Sequence, residues 1–180
     1  THRSYDADYA RRHWQLLVQA QRVFDCFRAR FAGKCSPVHY FWGGPDLALT
    51  RFSGRRAPEH PGGVPNLPDW VVRDAYSHEV SSAGFWAGND QHPYAMFYSY
   101  VYPEPPGFAK AKVRPREARY SAELHEFILP YDAVRQSASP DDALLELLQS
   151  TYEAGARLAS WPSDHTPEEA VLLPWQRRHT

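Results

Sequence analysis

The stretch Val38-His39-Tyr40-Phe41-Trp42-Gly43-Gly44-Pro45-Asp46-Leu47-Ala48-Leu49-Thr50-Arg51-Phe52 sets two apolar and aromatic runs either side of a four-residue turn. Gly43-Gly44-Pro45-Asp46 supplies the free backbone and the preset φ that a tight reversal needs. The spacing therefore predicts a β-hairpin, with residues 38–42 paired to 47–52. Further strands are expected near 75–86, 94–102 and 120–129. Across 94–102, Met96, Tyr98, Tyr100 and Tyr102 alternate with Ala95, Phe97, Ser99 and Val101, which assigns them to opposite faces of a sheet.

Helices flank this β-rich centre. Over residues 6–31, Tyr9, Leu16, Ala20, Val23, Phe24, Phe27 and Phe31 recur at the three-four spacing of one helical face. Ser4 is the expected N-cap and Gly33 the expected C-terminal stop, and His13 on the same stripe reads as a partly buried, hydrogen-bonded histidine. Residues 140–159 predict a second helix, with Ser139 as cap, Pro140 in the first turn, and Asp141 and Asp142 at the positive end. Its stripe is Leu144, Leu148, Thr151, Gly155 and Leu158, and the small residues Ala154, Gly155 and Ala156 invite close approach by a neighbour. The fold class is thus α+β: an antiparallel β-sheet with a long N-terminal helix and a C-terminal helix packed on it. Residues 1–162 read as a single domain and 163–180 as a tail.

Composition narrows the function classes. The chain has 180 residues, 43% hydrophobic and 14% aromatic, enough for a sizeable core. Its net charge of −1 gives no case for general nucleic-acid binding. The run Lys110, Lys112, Arg114, Arg116 and Arg119 reads as a solvated loop, with a phosphate or partner contact as the alternative. No apolar run reaches membrane-span length, and no signal-peptide pattern opens the chain. Only two cysteines, Cys26 and Cys35, point to a reducing compartment, so a cytoplasmic location is expected. A start at Thr1 rather than Met points to a fragment or a processed chain.

Several chemical motifs are incomplete or absent. His78-Glu79 lacks the second histidine of a His-Glu-x-x-His zinc helix, because position 82 is Ser. A distributed metal site from His39 and His78 with Glu126, Glu79, Glu123 or His125 would suit iron or zinc, although nothing in the spacing enforces it. Cys35 near His39 or His60 has the elements of a thiolate nucleophile, against the plainer reading of an inert thiol. No Gly-x-Ser-x-Gly elbow, phosphate-binding loop or dinucleotide fingerprint is present, so no cofactor is named by a motif.

The binding cues are richer. Arg51, Arg55 and Arg56 cluster around Gly54, a pattern suited to forking onto carboxylates or phosphates, with surface pairing to Asp46, Glu59 or Asp69 as the alternative. Residues 55–68 carry Pro58, Pro61, Pro65 and Pro68 with Gly62 and Gly63, a loop long enough to cover a site. Trp42, Trp70, Trp86 and the Tyr98, Tyr100 and Tyr102 face are either core or the walls of a pocket.

Three groups of residues carry a family resemblance. They are the strings 33–43, 46–48 and 50–58, then His60-Pro61-Gly62-Gly63-Val64-Pro65-Asn66-Leu67 with Tyr76-Ser77-His78-Glu79-Val80-Ser81-Ser82, and finally Glu126-Phe127-Ile128-Leu129-Pro130-Tyr131. Together they resemble a bacterial domain-of-unknown-function family, number 5996, over most of the chain. The resemblance implies a further β-rich portion preceding a segment like this one, so that the chain looks like the family's C-terminal portion. It transfers no activity. It draws attention to His39, Arg51, Arg55, Arg56, His60, His78, Glu79 and Glu126, which fall inside the matching strings, and away from His125.

The resulting expectation is a small-molecule pocket, possible enzymatic activity included. His39, Trp42, Arg51, Arg55, Arg56 and His60 would bind a ligand with an anionic group, and His78 or Glu79 would act as general acid or base. The rival expectation is a non-catalytic structural or interaction module, in which the same His, Arg and Glu cluster is a buried hydrogen-bond network.

Overall fold

The computed structural model describes residues 5–41, 44–64 and 67–162. Helix α1 (Ala7–Ala29) leads into strands β1 (His39–Phe41) and β2 (Asp46–Arg56). Helix α2 (Asp69–Ala75), strands β3 (His78–Trp86), β4 (Met96–Tyr102), β5 (Arg119–Ser121) and β6 (Glu126–Pro130), and helices α3 (Tyr131–Arg135) and α4 (Pro140–Leu158) follow. The six strands form one antiparallel sheet in the order β1-β2-β3-β4-β6-β5. The expected α+β architecture is present, with the hairpin register His39 to Ala48, Tyr40 to Leu47 and Phe41 to Asp46. Among the described residues no helix is long and apolar enough to cross a membrane.

Strand alternation divides the sheet's two faces. Leu47, Leu49, Ala83, Phe85, Phe97, Val101, Phe127 and Leu129 meet α1 and α4 in the main core. Burying each such large apolar side chain contributes about 1.5–3 kcal/mol. Met96, Tyr98 and Ile128 form a second, smaller cluster on the other face. Gly155 lets α4 lie directly on β4, because a Cβ there would run into Val101. Beside it the buried Thr151 hydroxyl donates to Ser99 Oγ at 2.8 Å. Arg22 clamps α1 to the start of α4 through both Asp141 oxygens, at 2.7 and 2.8 Å.

Some boundaries differ from the sequence pattern. Helix α1 is capped by Asp6, whose carboxylate accepts from Tyr9 N at 2.8 Å, while Ser4 lies outside the described residues. The helix ends at Ala29 rather than at Gly33, because Phe31 leaves the helical path to pack edge-on against Tyr152, 5.7 Å between ring centroids. Tyr9 falls off the buried stripe and Leu17 takes a place on it. Residues 69–75 form a helix just ahead of the strand expected near 75–86, overlapping it at Ala75, and that strand begins at His78, while 120–129 split into the β5–β6 hairpin. Ser139 stands at the N-cap of α4, but its hydroxyl bonds the Asp142 carboxylate instead of a backbone N–H. The tail expected over 163–180 lies outside the described residues.

Candidate functional site

The second face of the sheet is where polar chemistry and empty space coincide. Val64, Leu67 and α2 stand over it and bound a half-open cavity of about 410 Å³. The floor comes from β2, β3 and β4: Asp46, Ala48, Thr50, Val80, Ser82, Tyr98 and Tyr100. The roof is apolar, built by Val64, Leu67, Val71, Val72 and Ala75, with Tyr76 at its end. His39 and Phe41 of β1 close the edge. Small-molecule sites have this size and this balance of apolar wall to few polar groups.

Register explains the floor. Thr50 pairs with Ser82 and Ser82 with Tyr100, so one row crosses three strands with all side chains on the cavity face. Glu126 continues the row on β6, one position beyond the Ser99 and Phe127 pair. Hydroxyls link the row: Thr50 and Ser82 lie 3.0 Å apart, and Tyr100 and Tyr76 meet at 2.9 Å, which ties α2 to the sheet. In the adjacent row Tyr98 crosses the bare backbone of Gly84 and donates to the Asp46 carboxylate. The Tyr98 and Tyr100 rings stack at 6.2 Å and 17°.

Burial shifts the titrating groups here. Desolvation pushes the Asp46 carboxyl up, against the hydrogen bond from Tyr98. The same cause, with Asp46 as a like-charged neighbour, raises Glu126 to about 8. The Tyr98 and Tyr100 phenols are both driven well above their ordinary range by burial. The floor therefore holds one carboxyl group, Asp46, while Glu126 stands beside Tyr100 outside the lining and keeps its proton at neutral pH.

The expected site residues are dispersed. His39 lines the cavity, with its Nδ1 3.1 Å from the Pro37 carbonyl, which leaves Nε2 as the second ring nitrogen available for bonding. His60 stacks on Tyr76 at 5.0 Å and meets Tyr102 at a tilt, 5.1 Å between centroids, and its Nδ1 accepts from Gly62 N at 3.0 Å. Trp42 lies outside the described residues. Arg51 projects to the helix face, 1% exposed, where its guanidinium lies over the rings of Phe27 at 3.4 Å, Tyr152 at 4.3 Å and Phe31 at 5.0 Å. It donates to the Phe27 carbonyl in the last turn of α1, a favourable place for a cation.

Arg55 sits in a bulge that sets residues 53–55 against Glu79 alone, with Gly54 at φ 85°. Its Nε donates to Glu79 Oε2 at 2.9 Å and its two Nη atoms donate to the Ser160 and Ala159 carbonyls. Ser53 Oγ donates to the same carboxylate oxygen at 2.8 Å. Arg56 is exposed and pairs in register with His78, whose Nδ1 is 3.1 Å from Ser77 Oγ. The three arginines thus do not converge, and the Glu79 carboxylate is bound within the Ser53 and Arg55 cluster.

His39, His78 and Glu126 are not gathered either; among the described residues no group of three or more His, Cys, Asp or Glu could hold a metal. Burial raises the Cys35 thiol, the opposite of what a thiolate nucleophile needs. The basic side chains of 110–119 are exposed, and Arg116 pairs with Glu117 at 2.7 Å. Sequence reasoning passed over Asp46, Thr50, Tyr76 and Ser82 as site residues. The usable signal was Gly84 in the interior of a strand, the mark of a close approach.

The model of a family of unknown function, DUF5996, matches residues 1–168. The chain belongs to the DUF5996 family. No curated protein and no solved structure matches it. Within this DUF5996 chain the described cavity residues all lie inside the matched segment.

Proposed function

We propose that this DUF5996 chain binds a small molecule in the cavity between the second face of the sheet and α2. The observation that carries the reading is the cavity itself: about 410 Å³, largely apolar above, with Asp46, Thr50, Ser82, Tyr98 and Tyr100 converging below and Tyr76 at the end of the roof. An anion-binding role for Arg51, Arg55 and Arg56 draws no support from this cavity, since none of them lines it. Any acid–base step there falls to His39 and Asp46, which line it, rather than to His78 and Glu79. The free thiols Cys26 and Cys35 support a cytoplasmic setting, and the near-neutral charge supports a ligand other than nucleic acid.

A structural role is favoured for one part of the expected cluster. Support comes from the Ser53, Glu79 and Arg55 bonds, which join the β2 bulge to the end of α4 and consume the donors a ligand would use.

Ligand-detected NMR with a fragment library tests the cavity. Fragments are expected to bind the wild type and to lose binding in Ala75→Trp, which fills the space from the exposed side of α2. Equal binding to both folded proteins, or none to either, overturns the reading.

A further inference from the structure

Charge is distributed unevenly around the cavity. Among its described lining residues there is no lysine or arginine, while Asp46 is on the floor and Glu126 stands next to Tyr100 in the same row. Neither carboxylate takes part in an ion pair between described residues. The neighbouring cations are engaged elsewhere: Arg51 in the helix layer, Arg55 with Glu79, and Arg73 with Glu59 at 3.1 Å. Lys34 lies over the ring of Phe52, a lining residue, at 5.0 Å, and His39 is the basic group in the lining itself. The tyrosine hydroxyls are occupied by Asp46 and by one another, so Tyr76, Tyr98 and Tyr100 offer ring surface to a ligand more than free hydroxyls.

We propose that the ligand is a cationic amine, an ammonium on a compact apolar body, seated against the tyrosine rings with Asp46 and Glu126 as its counter-charges. The inference rests on the cavity reading above and assigns the class of molecule that fits it. Aromatic faces attract a desolvated cation, and a carboxylate beside them fixes its position. Burial and the neighbouring Asp46 oppose ionisation of Glu126, and a positive charge seated beside them offsets that cost. The apolar roof of Val71, Val72 and Leu67 takes the hydrocarbon part. Because Glu126 starts protonated at neutral pH, seating a cation there drives its proton into solvent.

The test is isothermal titration calorimetry with three probes of one shape: phenethylamine, 2-phenylethanol and phenylacetate. Measurements at pH 7 use two buffers of different ionisation enthalpy. The amine is expected to bind about tenfold tighter than the alcohol and tighter still than the acid. Its binding enthalpy should differ between buffers, reporting proton release. In Asp46→Asn and Glu126→Gln the preference for amine over alcohol should collapse, and circular dichroism establishes that both variants are folded. An alcohol or acid that binds as well as the amine overturns the cationic class and leaves the cavity reading in place. No binding by any probe, alongside fragment binding that Ala75→Trp abolishes, also overturns the cationic class alone. No binding by probes or fragments overturns both.

Discussion

Tyr98 lies across Gly84 and donates its hydroxyl hydrogen to the Asp46 carboxylate, joining β4 to β2 over the backbone of β3. A Cβ at position 84 would meet both the Tyr98 phenol and the Leu47 carbonyl oxygen. The backbone oxygen cannot swing away as a side chain would. Gly84→Ala is therefore expected to destabilise the fold by about 1–3 kcal/mol and to break the Tyr98 bond to Asp46. Urea denaturation reads the first effect, and the tyrosine absorbance difference spectrum reads the second.

Glu126 makes stability depend on pH. Its folded value of about 8 lies above its ordinary value of 4.5, so the folded chain holds a proton that the unfolded chain has released. Stability should consequently fall as pH rises from about 4.5 to about 8 and then level off. Glu126→Gln removes the titrating group. It is expected to flatten that fall and to gain at least about 1 kcal/mol over the wild type at pH 8. Thermal denaturation between pH 5 and 9 decides it, and parallel curves for the two proteins would refute it.

Arg51 is a buried cation held by rings. Burial lowers its pKa to about 9, and its Nε and Nη1 have no hydrogen-bond partner among the described residues. Arg51→Ala should cost about 3 kcal/mol, because it empties the space between Phe27 and Tyr152 and removes the donor to α1. Arg51→Met refills the space without burying unpartnered N–H groups and should cost about 1 kcal/mol. Chemical denaturation of both variants compares them. Equal losses would mean that the charge, and not the packing, holds the site.

Arg55 bridges two elements from a half-exposed position. Arg55→Ala should lower stability by about 1 kcal/mol and speed amide exchange at the C-terminal end of α4. Fragment binding in the cavity should be unchanged, since Arg55 does not line it.

Both thiols are raised by burial, so Cys26 and Cys35 should alkylate slowly with iodoacetamide at pH 7 and quickly in urea. Mass spectrometry of the time course measures this. Rapid labelling of Cys35 in the folded chain would reopen a nucleophilic role for it.

Much of the architecture was legible because it rests on local periodicity. The hairpin that pairs His39–Phe41 with residues 46–48, the alternation through Tyr98 and Tyr100, the close approach at Gly155 and the long helices all repeat a pattern within a few residues. Helix α2 was hidden because only seven residues form it and a single one, Val72, is buried. The arginines misled for a related reason. Arg51, Arg55 and Arg56 are near in sequence, but strand alternation and the bulge at Gly54 send them to different surroundings.

The chain's own order of residues determined the class of fold, the pairing of its first hairpin and which residues of β4 share a face, because backbone geometry repeats every two or 3.6 residues. Only the tertiary structure decided that Thr50, Ser82, Tyr100 and Glu126 form one row, that Asp46 meets Tyr98, and that α2 roofs a cavity above them. Those relationships join residues up to 76 positions apart, as from Thr50 to Glu126 (126 − 50), and depend on inter-strand register. Register is set by the packing of the whole sheet, and no local pattern contains it.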